Sequence, residues 1–292
     1  MSILDLLRDP PPEFAFEVAA DGIAMSRTRP PASLQHVSLP PGVLTPSPAR
    51  ENVVDAAAFA EAVRQLTPEG SGRGRRGRAN RKAALILPNN SVRIAVLDFD
   101  SFPEKEDERR PLINFRLRKS VPFDVDEAAL SYFPQPGKKV VVALAPSEII
   151  AHYEAPFRAA GWHPGLVTVS SLAMLDLLPA TGSLVLAHHS PGVLTVIAMS
   201  EGVVTIVRSV EIEETESDPL EEIIAAIYPT LAFIEDQTHV RPEKLFVAGF
   251  GKDSSTRLAI ELEIAVETIT EQYPGLAGYL TSVAPKTKKV AA

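Results

Sequence analysis

Apolar and polar positions change their spacing within the segment from Leu87 to Phe133. Apolar residues first recur at nearly every second position, which is the period of a strand with one buried face; they are Val92, Ile94, Val96 and Leu97. The spacing then lengthens to that of a helix, with apolar residues at Ile113, Leu117 and Val121. The pattern predicts a strand, a basic helix from Pro111 to Ser120 and a second strand at "ALSYF". Pro122 is expected to end the helix, because proline disfavours helical backbone in the preceding residue.

The chain before this segment predicts a hairpin and a helix. Strand-like runs from Phe14 to Val18 and from Ile23 to Arg27 flank Asp21-Gly22, a dipeptide typical of hairpin turns. A helix should then run from Asp55 to Leu66, with the Asp55 side chain as its N-cap.

The chain after this segment predicts one more strand and one more helix. The strand runs from Lys139 to Ala145, and the helix is expected to be capped by Ser147 and ended by Gly161. Together with the elements from Leu87 onward, this gives the order β-α-β-β-α, a compact α/β subdomain. Trp162, the sole tryptophan of the chain, is interpreted as a core residue.

A second lobe is predicted from Ser183 onward. Residues 183–212 suggest three antiparallel strands joined by glycine-containing turns. A long helix with Asp218 as its cap, Pro219 at its first position and an apolar stripe follows. Residues 244–248 then predict a strand, and Gly249-Phe250-Gly251 a turn before another helix.

Composition narrows the class of protein. The 292 residues suit two lobes, and 45% hydrophobic residues suffice for a packed core. The absence of cysteine fits a reducing compartment, and a net charge of −8 argues against nucleic-acid binding. The glycine- and arginine-rich segment 71–82 lacks aromatic residues for base stacking, so we interpret it as a solvated loop. No run approaches the roughly 20 apolar residues of a membrane span, and the N-terminus lacks a secretory-signal pattern. A cytoplasmic protein without a direct membrane span is expected.

The order of motifs from Leu87 onward resembles the type IV pilus assembly protein PilM family, whose members are actin-like, FtsA-related cytoplasmic proteins. The motifs are Leu87-Pro88 before a strand, an acidic run around Glu106, the basic helix, Val121-Pro122-Phe123 and the acids from Asp124. The resemblance implies an α/β, two-lobed actin-like (ribonuclease H-like) fold with an inserted small α/β subdomain and a reduced second lobe. The implied units are a first lobe at 1–87 with a basic loop at 68–82, an inserted subdomain with the return to the first lobe at 88–180, a second lobe at 181–283 and a disordered basic tail at 284–292.

The resemblance also implies a nucleotide site, which is incomplete in this sequence. Family members bind ATP and Mg²⁺ with two acidic β-turns and a glycine-rich loop. Glu17 stands where the first turn has aspartate, and either Ala187 or His188 stands where the second turn has its acid. Gly249 and Gly251 match the glycine-rich loop in outline. The helical subdomain that walls the adenine pocket is reduced to residues 213–217. We therefore expect no ATP hydrolysis and no bound cofactor.

Because ATP hydrolysis is not expected, the remaining function that the resemblance implies is the binding of a partner protein at a surface of the first lobe. PilM-like proteins receive the cytoplasmic N-terminal peptide of a bitopic membrane protein, PilN, at the first lobe and its inserted subdomain. The matching residues, which we expect to contribute to that groove, are Arg116, Arg118, Lys119, Val121, Pro122 and Phe123. The implied function is a cytoplasmic scaffold of the inner-membrane pilus platform, held at the membrane by a PilN-like partner and in contact with other platform proteins.

Two other functions stay open at this point. One is a nucleotide-binding actin-like ATPase or switch, and the other is the cytoplasmic domain of a type II secretion platform protein. A metal site at His188-His189 is not favoured, because adjacent strand residues point to opposite faces.

Overall fold

The computed structural model describes residues 11–29, 33–68, 81–212, 219–238 and 241–284. Three sequence predictions lie outside these residues: most of the glycine- and arginine-rich loop, the Asp218 cap and the basic tail from Lys286 to Lys289. Across the described ranges, no helix combines the length and the apolar character needed to cross a bilayer.

The first sheet has five strands in the order β3-β2-β1-β4-β8. Its strands are β1 (Phe14–Ala19), β2 (Gly22–Arg27), β3 (Gln35–Ser38), β4 (Lys82–Leu87) and β8 (His163–Val169). The strands β1 to β3 are antiparallel neighbours, whereas β4 runs parallel to both β1 and β8. The predicted hairpin at Asp21-Gly22 is confirmed.

Helices cover both faces of the first sheet. On one face, α1 (Ala56–Gln65) and α3 (Ser147–Ala159) pack onto large side chains such as Phe16. Trp162 is fully buried in this core, as predicted, and its indole N–H donates to the Thr67 hydroxyl at 3.0 Å. On the other face, α4 (Ser170–Ala173) and α7 (Pro274–Val283) pack onto small residues such as Ala15. Alternation along each strand gives the two faces their different side chains.

The second sheet repeats the order of the first, as β11-β10-β9-β12-β13. Its strands are β9 (Ser183–Ser190), β10 (Val193–Ser200), β11 (Val203–Glu211), β12 (Lys244–Ala248) and β13 (Ala265–Ile269). The predicted three-stranded antiparallel meander is confirmed, and β12 joins it in parallel with β9. The helices α5 (Pro219–Thr238) and α6 (Lys252–Glu261) cover one face, and α5 buries the predicted apolar stripe.

A third sheet forms the inserted subdomain. Its order is β5-β7-β6, with β5 (Arg93–Asp98), β6 (Ala128–Pro134) and β7 (Lys139–Pro146), and α2 (Glu106–Leu117) covers one face. The β-α-β-β-α order predicted for this region is confirmed.

Two local predictions in the third sheet's region are wrong. The basic helix runs from Glu106 to Leu117 rather than from Pro111 to Ser120, so Pro111 lies inside it and the helix ends before Pro122 could stop it. Three acidic residues occupy its first turn, where the helix dipole favours negative charge. Ser147 does not cap α3, because it is already the first helical residue and its hydroxyl donates to the Glu127 carbonyl instead.

Helix α7 returns to the first lobe although it follows the second sheet in the sequence. It packs on β1 and on the α4 segment, and the Arg29 guanidinium donates to the carbonyl of its last residue, Val283, at 2.7 Å. The chain after β13 therefore ties the second lobe back to the first.

Candidate functional site

A cavity of about 950 Å³ lies in the cleft between the first and second sheets. Its walls are the ends of β1, β9, β12 and β13, together with the residues just after β4 and the start of α7. The predicted nucleotide residues Glu17 and Gly249 both line this cavity, as does His188. The fold therefore brings these residues to one cavity, while Gly251 is the N-cap residue of α6 and is not among the lining residues.

The carboxylate of Glu17 is hydrogen-bonded to the start of α7. The backbone N–H of Leu276 donates to Oε2 at 2.7 Å, and that of Gly275 donates to Oε1 at 3.3 Å. The Ser170 hydroxyl donates to Oε1 at 2.6 Å. Glu17 thus satisfies N–H groups that the first turn of a helix leaves without intrahelical partners. It acts as a helix cap contributed by a residue far away in the sequence.

The ionisation of Glu17 is set by competing effects. The side chain is only 4% exposed, and this burial raises its pKa to about 7. The hydrogen bonds from Ser170, Leu276 and Gly275 favour the charged form and act in the opposite direction. Glu17 therefore changes its charge near neutral pH rather than near pH 4.5.

Asn89 joins the two lobes at the floor of the cleft. Its Oδ1 accepts a hydrogen bond from the Ser171 backbone N–H at 2.8 Å, which fixes the orientation of the amide. The amide Nδ2 therefore faces Nδ1 of His188 on β9, at 2.8 Å. Because Nδ2 is a donor, the neutral His188 ring accepts at Nδ1 and carries its proton at Nε2.

His188 lines the cavity, whereas Ala187 is buried in the core under α5 and α6. Burial, with a smaller contribution from His189, lowers the pKa of His188 to about 4. The two histidines do not combine with other ligands, because no group of three or more His, Cys, Asp or Glu side chains suited to a metal occurs in the described ranges.

The glycine-rich loop adopts the turn expected of it. Gly249 has φ +79°, and a Cβ atom there would lie 1.9 Å from the carbonyl oxygen of His189. Only glycine fits this position. Phe250, the next residue, packs against the His189 ring with the centroids 5.6 Å apart.

Glu17 and His188, the two polar side chains at the predicted nucleotide positions, are both hydrogen-bonded within the protein. Three hydrogen bonds engage the Glu17 carboxylate, and the neutral imidazole of His188 is paired with Asn89. Magnesium requires oxygen ligands in near-octahedral geometry, commonly including carboxylates. Strand β11 ends at Glu211 and α5 begins at Pro219.

A second concave surface lies between the third sheet and the first. We call it the apolar groove: a cavity of about 300 Å³ between β6 and β8, with β7 behind them. One side is lined by Ala129, Ser131, Tyr132 and Phe133, the other by Leu166 to Val169, and no charged side chain is among the lining residues. Within the described part of the chain, β6 and β8 each lie at one edge of their sheet. Each edge leaves backbone donors and acceptors free to pair with another strand.

The structure places the predicted partner-binding residues away from the apolar groove. None of Arg116, Arg118, Lys119, Val121, Pro122 or Phe123 lines it. They lie at the end of α2 and in the loop that follows, whereas α2 covers the opposite face of the third sheet. The Arg116 guanidinium stacks 5.4 Å from the Phe99 ring centroid, and Arg118 pairs with Asp126 at 2.7 Å.

Sequence reasoning missed Asn89, Ser170 and the apolar groove. Asn89 follows Pro88 directly after a strand, and a polar residue at a strand end was a usable signal. Ser170 and the groove had no local signal, because each depends on elements brought together by the tertiary fold.

Comparison with known proteins gives matches of structure alone. No protein-family model matches the sequence, and neither does any curated protein. Among solved structures, the PilM–PilN type IV pilus biogenesis complex matches with a TM-score of 0.70 at 18% identity, covering 94% of this chain and 97% of that one. A Bacteroides thetaiotaomicron protein of unknown function with an actin-like ATPase fold matches with a TM-score of 0.54 at 10% identity, covering 92% and 95%. The cytoplasmic domain of EpsL, an inner-membrane component of the Vibrio cholerae type II secretion system, gives 0.54 at 8% identity, with 93% of each chain covered. The α/β chain therefore has the actin-like fold in a form similar to PilM.

Proposed function

We propose that this protein is a PilM-like scaffold of the type IV pilus inner-membrane platform, which binds the cytoplasmic N-terminal peptide of a PilN-like membrane protein. The observation that supports it is the apolar groove between two edge strands, in a chain whose fold is similar to that of the PilM–PilN complex over 94% of its length. The protein would then lie at the cytoplasmic face of the inner membrane, held there by its partner.

The groove suits an extended, apolar peptide. The backbone of such a peptide could pair with the free edge of β6 or of β8, as in other cases where a peptide adds a strand to a sheet. Its alternate side chains would then enter the groove, whose lining is apolar apart from Ser131, Tyr132 and Thr168. Backbone pairing supplies affinity, and the apolar lining selects the side chains.

The surface from Arg116 to Phe123 remains a second proposed contact for the same partner. Lys119 and Pro122 are exposed there, and Val121 and Phe123 are half-buried at the end of α2. This surface belongs to the same subdomain as the groove but lies on the α2 side of the third sheet, so a partner segment would have to pass around the sheet to contact both. Basic residues at that position would favour an acidic continuation of the partner.

The proposed scaffold does not hydrolyse ATP. Phosphoryl transfer depends on a positioned metal ion and a positioned water, and catalysis there consists largely of such positioning. The Glu17 carboxylate is engaged by α7, and His188 provides no negative charge. These observations support a cleft that joins the lobes rather than one that performs chemistry.

Calorimetric titration with the N-terminal peptide of the PilN-like protein from the same organism tests the proposal. We expect saturable binding that is lost in Ser131→Arg, because this exposed residue lines the groove and a long charged side chain would block it. The matched control is Lys138→Glu, an exposed position in the same subdomain outside the groove lining. Absence of binding to the wild-type protein would contradict the proposed partner.

Two further measurements test the second proposed contact and the alternative of a nucleotide-dependent switch. Charge reversal of Arg116 and Arg118 tests the second contact, and an unchanged affinity would remove it from the proposal. Micromolar binding of Mg-ATP in the same calorimeter would instead support a nucleotide-dependent switch, for which the 950 Å³ cavity is the favouring observation.

A further inference from the structure

One turn of chain is shared by the apolar groove and the cleft. Residues 169–172 run from the end of β8 into α4, and Val169 and Leu172 line the groove. Between them, Ser170 donates its hydroxyl to Glu17 and Ser171 donates its backbone N–H to Asn89. The side chains at the two ends of this turn thus face one site, and the polar groups at its middle face the other.

The polar groups of the turn belong to a network that joins the lobes. We call it the cleft network; its members are Glu17, Asn89, Ser170, Ser171 and His188. Through Asn89 it reaches β9 of the second sheet, and through Glu17 it reaches the start of α7. Most of its polar atoms are buried, so breaking one bond leaves a donor or acceptor without a partner.

The turn and α7 are also packed too tightly to move independently. A Cβ atom at Gly278 of α7 would lie 2.1 Å from the Ala173 carbonyl oxygen and 2.9 Å from the Met174 Cα atom. The backbones of α4 and α7 are therefore in direct contact at this point. Close-packed segments shift together rather than deform gradually.

We propose that filling the apolar groove stabilises the cleft network through residues 169–172, so that peptide docking and the hydrogen bonds that join the two lobes are energetically coupled. The identity of the peptide rests on the proposed function, but the coupling itself does not. Such coupling is reciprocal, because each site must change the equilibrium of the other by the same factor.

Hydrogen exchange of the full chain tests the coupling without any partner. Ser131→Trp places a large apolar side chain in the groove from β6, which lies across from the turn. The backbone N–H groups of Leu276 and Ser171 are both hydrogen-bonded within the cleft network. We expect each of them to exchange about five-fold more slowly than in the wild-type protein. Amides of α1, which does not contact the network, serve as the internal reference and should not change.

A second groove-filling variant and a control variant complete the hydrogen-exchange test. Ala129→Phe fills the same groove from a neighbouring position, and it replaces Ser131→Trp if that variant does not fold. Phe115→Trp, on the exposed outer face of α2, should leave the Leu276 and Ser171 amides unchanged. Unchanged exchange at both amides in a folded groove-filling variant, or an equal change in α1, would overturn the coupling.

Addition of the PilN-like N-terminal peptide to the wild-type chain separates the two proposals. Binding with slower exchange at Leu276 and Ser171 supports both of them. Binding without that change overturns the coupling and leaves the proposed function intact. No binding overturns the proposed partner, while the groove-filling variants still decide whether the coupling exists.

Discussion

Glu17 and His188 are buried on opposite walls of the cleft, and their pKa values move in opposite directions. Burial raises the pKa of Glu17 to about 7 and lowers that of His188 to about 4. In the native protein both side chains are therefore neutral between these values. Each resists acquiring charge in a place where water cannot solvate it.

Glu17→Gln should change how stability depends on pH. Between about pH 4.5 and 7 the folded state holds the Glu17 proton more tightly than the unfolded state, so the wild-type protein loses stability as pH rises through this range. The variant cannot titrate at this position and does not lose this stability. As pH increases, its free energy of unfolding relative to that of the wild type should therefore rise, by up to about 1.4 kcal/mol per pH unit. Urea unfolding at half-unit steps from pH 4.5 to 8 measures it. A difference independent of pH would contradict the role given to Glu17.

His188→Asn should show the opposite dependence. Between about pH 4 and 6.5 the unfolded state binds the His188 proton and the folded state does not, so wild-type stability falls as pH falls. Asparagine keeps an acceptor for Asn89 but cannot titrate, so its stability relative to wild type should be greatest at low pH. The same urea series measures this, and His36→Asn, outside the cleft network, is the control.

The position of these residues could be predicted from the sequence, but their role could not. Glu17 was identified because it replaces a family aspartate, and the structure puts it in the cleft. Its partners Gly275 and Leu276 lie at the other end of the chain, and no local pattern connects them to β1.

At the scale of elements, α7 is held at both ends by the first lobe. Glu17 accepts from its first turn, and Arg29 donates to its last carbonyl. The Glu17 oxygens satisfy N–H groups that have no partner within the helix, and the positive Arg29 at the other end matches the helix dipole. This explains why a short helix after the second sheet returns to the first.

Gly278→Ala should loosen α7. Alanine favours helices by up to about 1 kcal/mol over glycine, but here its Cβ atom would lie 2.1 Å from the Ala173 carbonyl oxygen. We expect the cost of overpacking to exceed the gain in helix propensity, so that the free energy of unfolding falls by about 1 to 3 kcal/mol. Gly165→Ala is the control, because its nearest contact would be 3.9 Å away. Equal stability of the two variants in thermal unfolding would count against a tight α4–α7 contact.

Elements with a strong period were predicted well, and those that depend on distant contacts were not. The β1–β2 hairpin and the meander β9–β11 follow from alternation and turn residues. The start of α2 was misplaced because proline at a first helical position is common, whereas here acidic residues before it extend the helix by a turn.

At the scale of the whole molecule, two sheets of identical order face each other across the cleft, and the third sheet lies against both. The Gln135 side chain, between β6 and β7, exchanges two hydrogen bonds of 2.9 Å with the backbone of Val204 on β11. Close to the first sheet, the third sheet instead forms the apolar groove. The inserted subdomain therefore contacts both lobes.

The actin-like fold was predictable from the motif order, but the location of the groove was not. The motifs that resemble PilM lie in the subdomain that forms one side of the apolar groove, and the residues predicted from them lie on the α2 side of that subdomain. Which face of a sheet a helix covers depends on packing against neighbours, and the sequence of the helix alone does not specify it.

Hydrogen exchange with and without the PilN-like N-terminal peptide tests the central claim most directly, since it locates the docked peptide on the chain. The account predicts that saturating peptide protects backbone amides along β6, β8 or both, within residues 129–133 and 166–169. Lys138→Glu should give the same footprint, and Ser131→Arg should abolish it. Protection confined to residues 116–123, or bound peptide with no protection along either edge, would contradict the groove as the docking site.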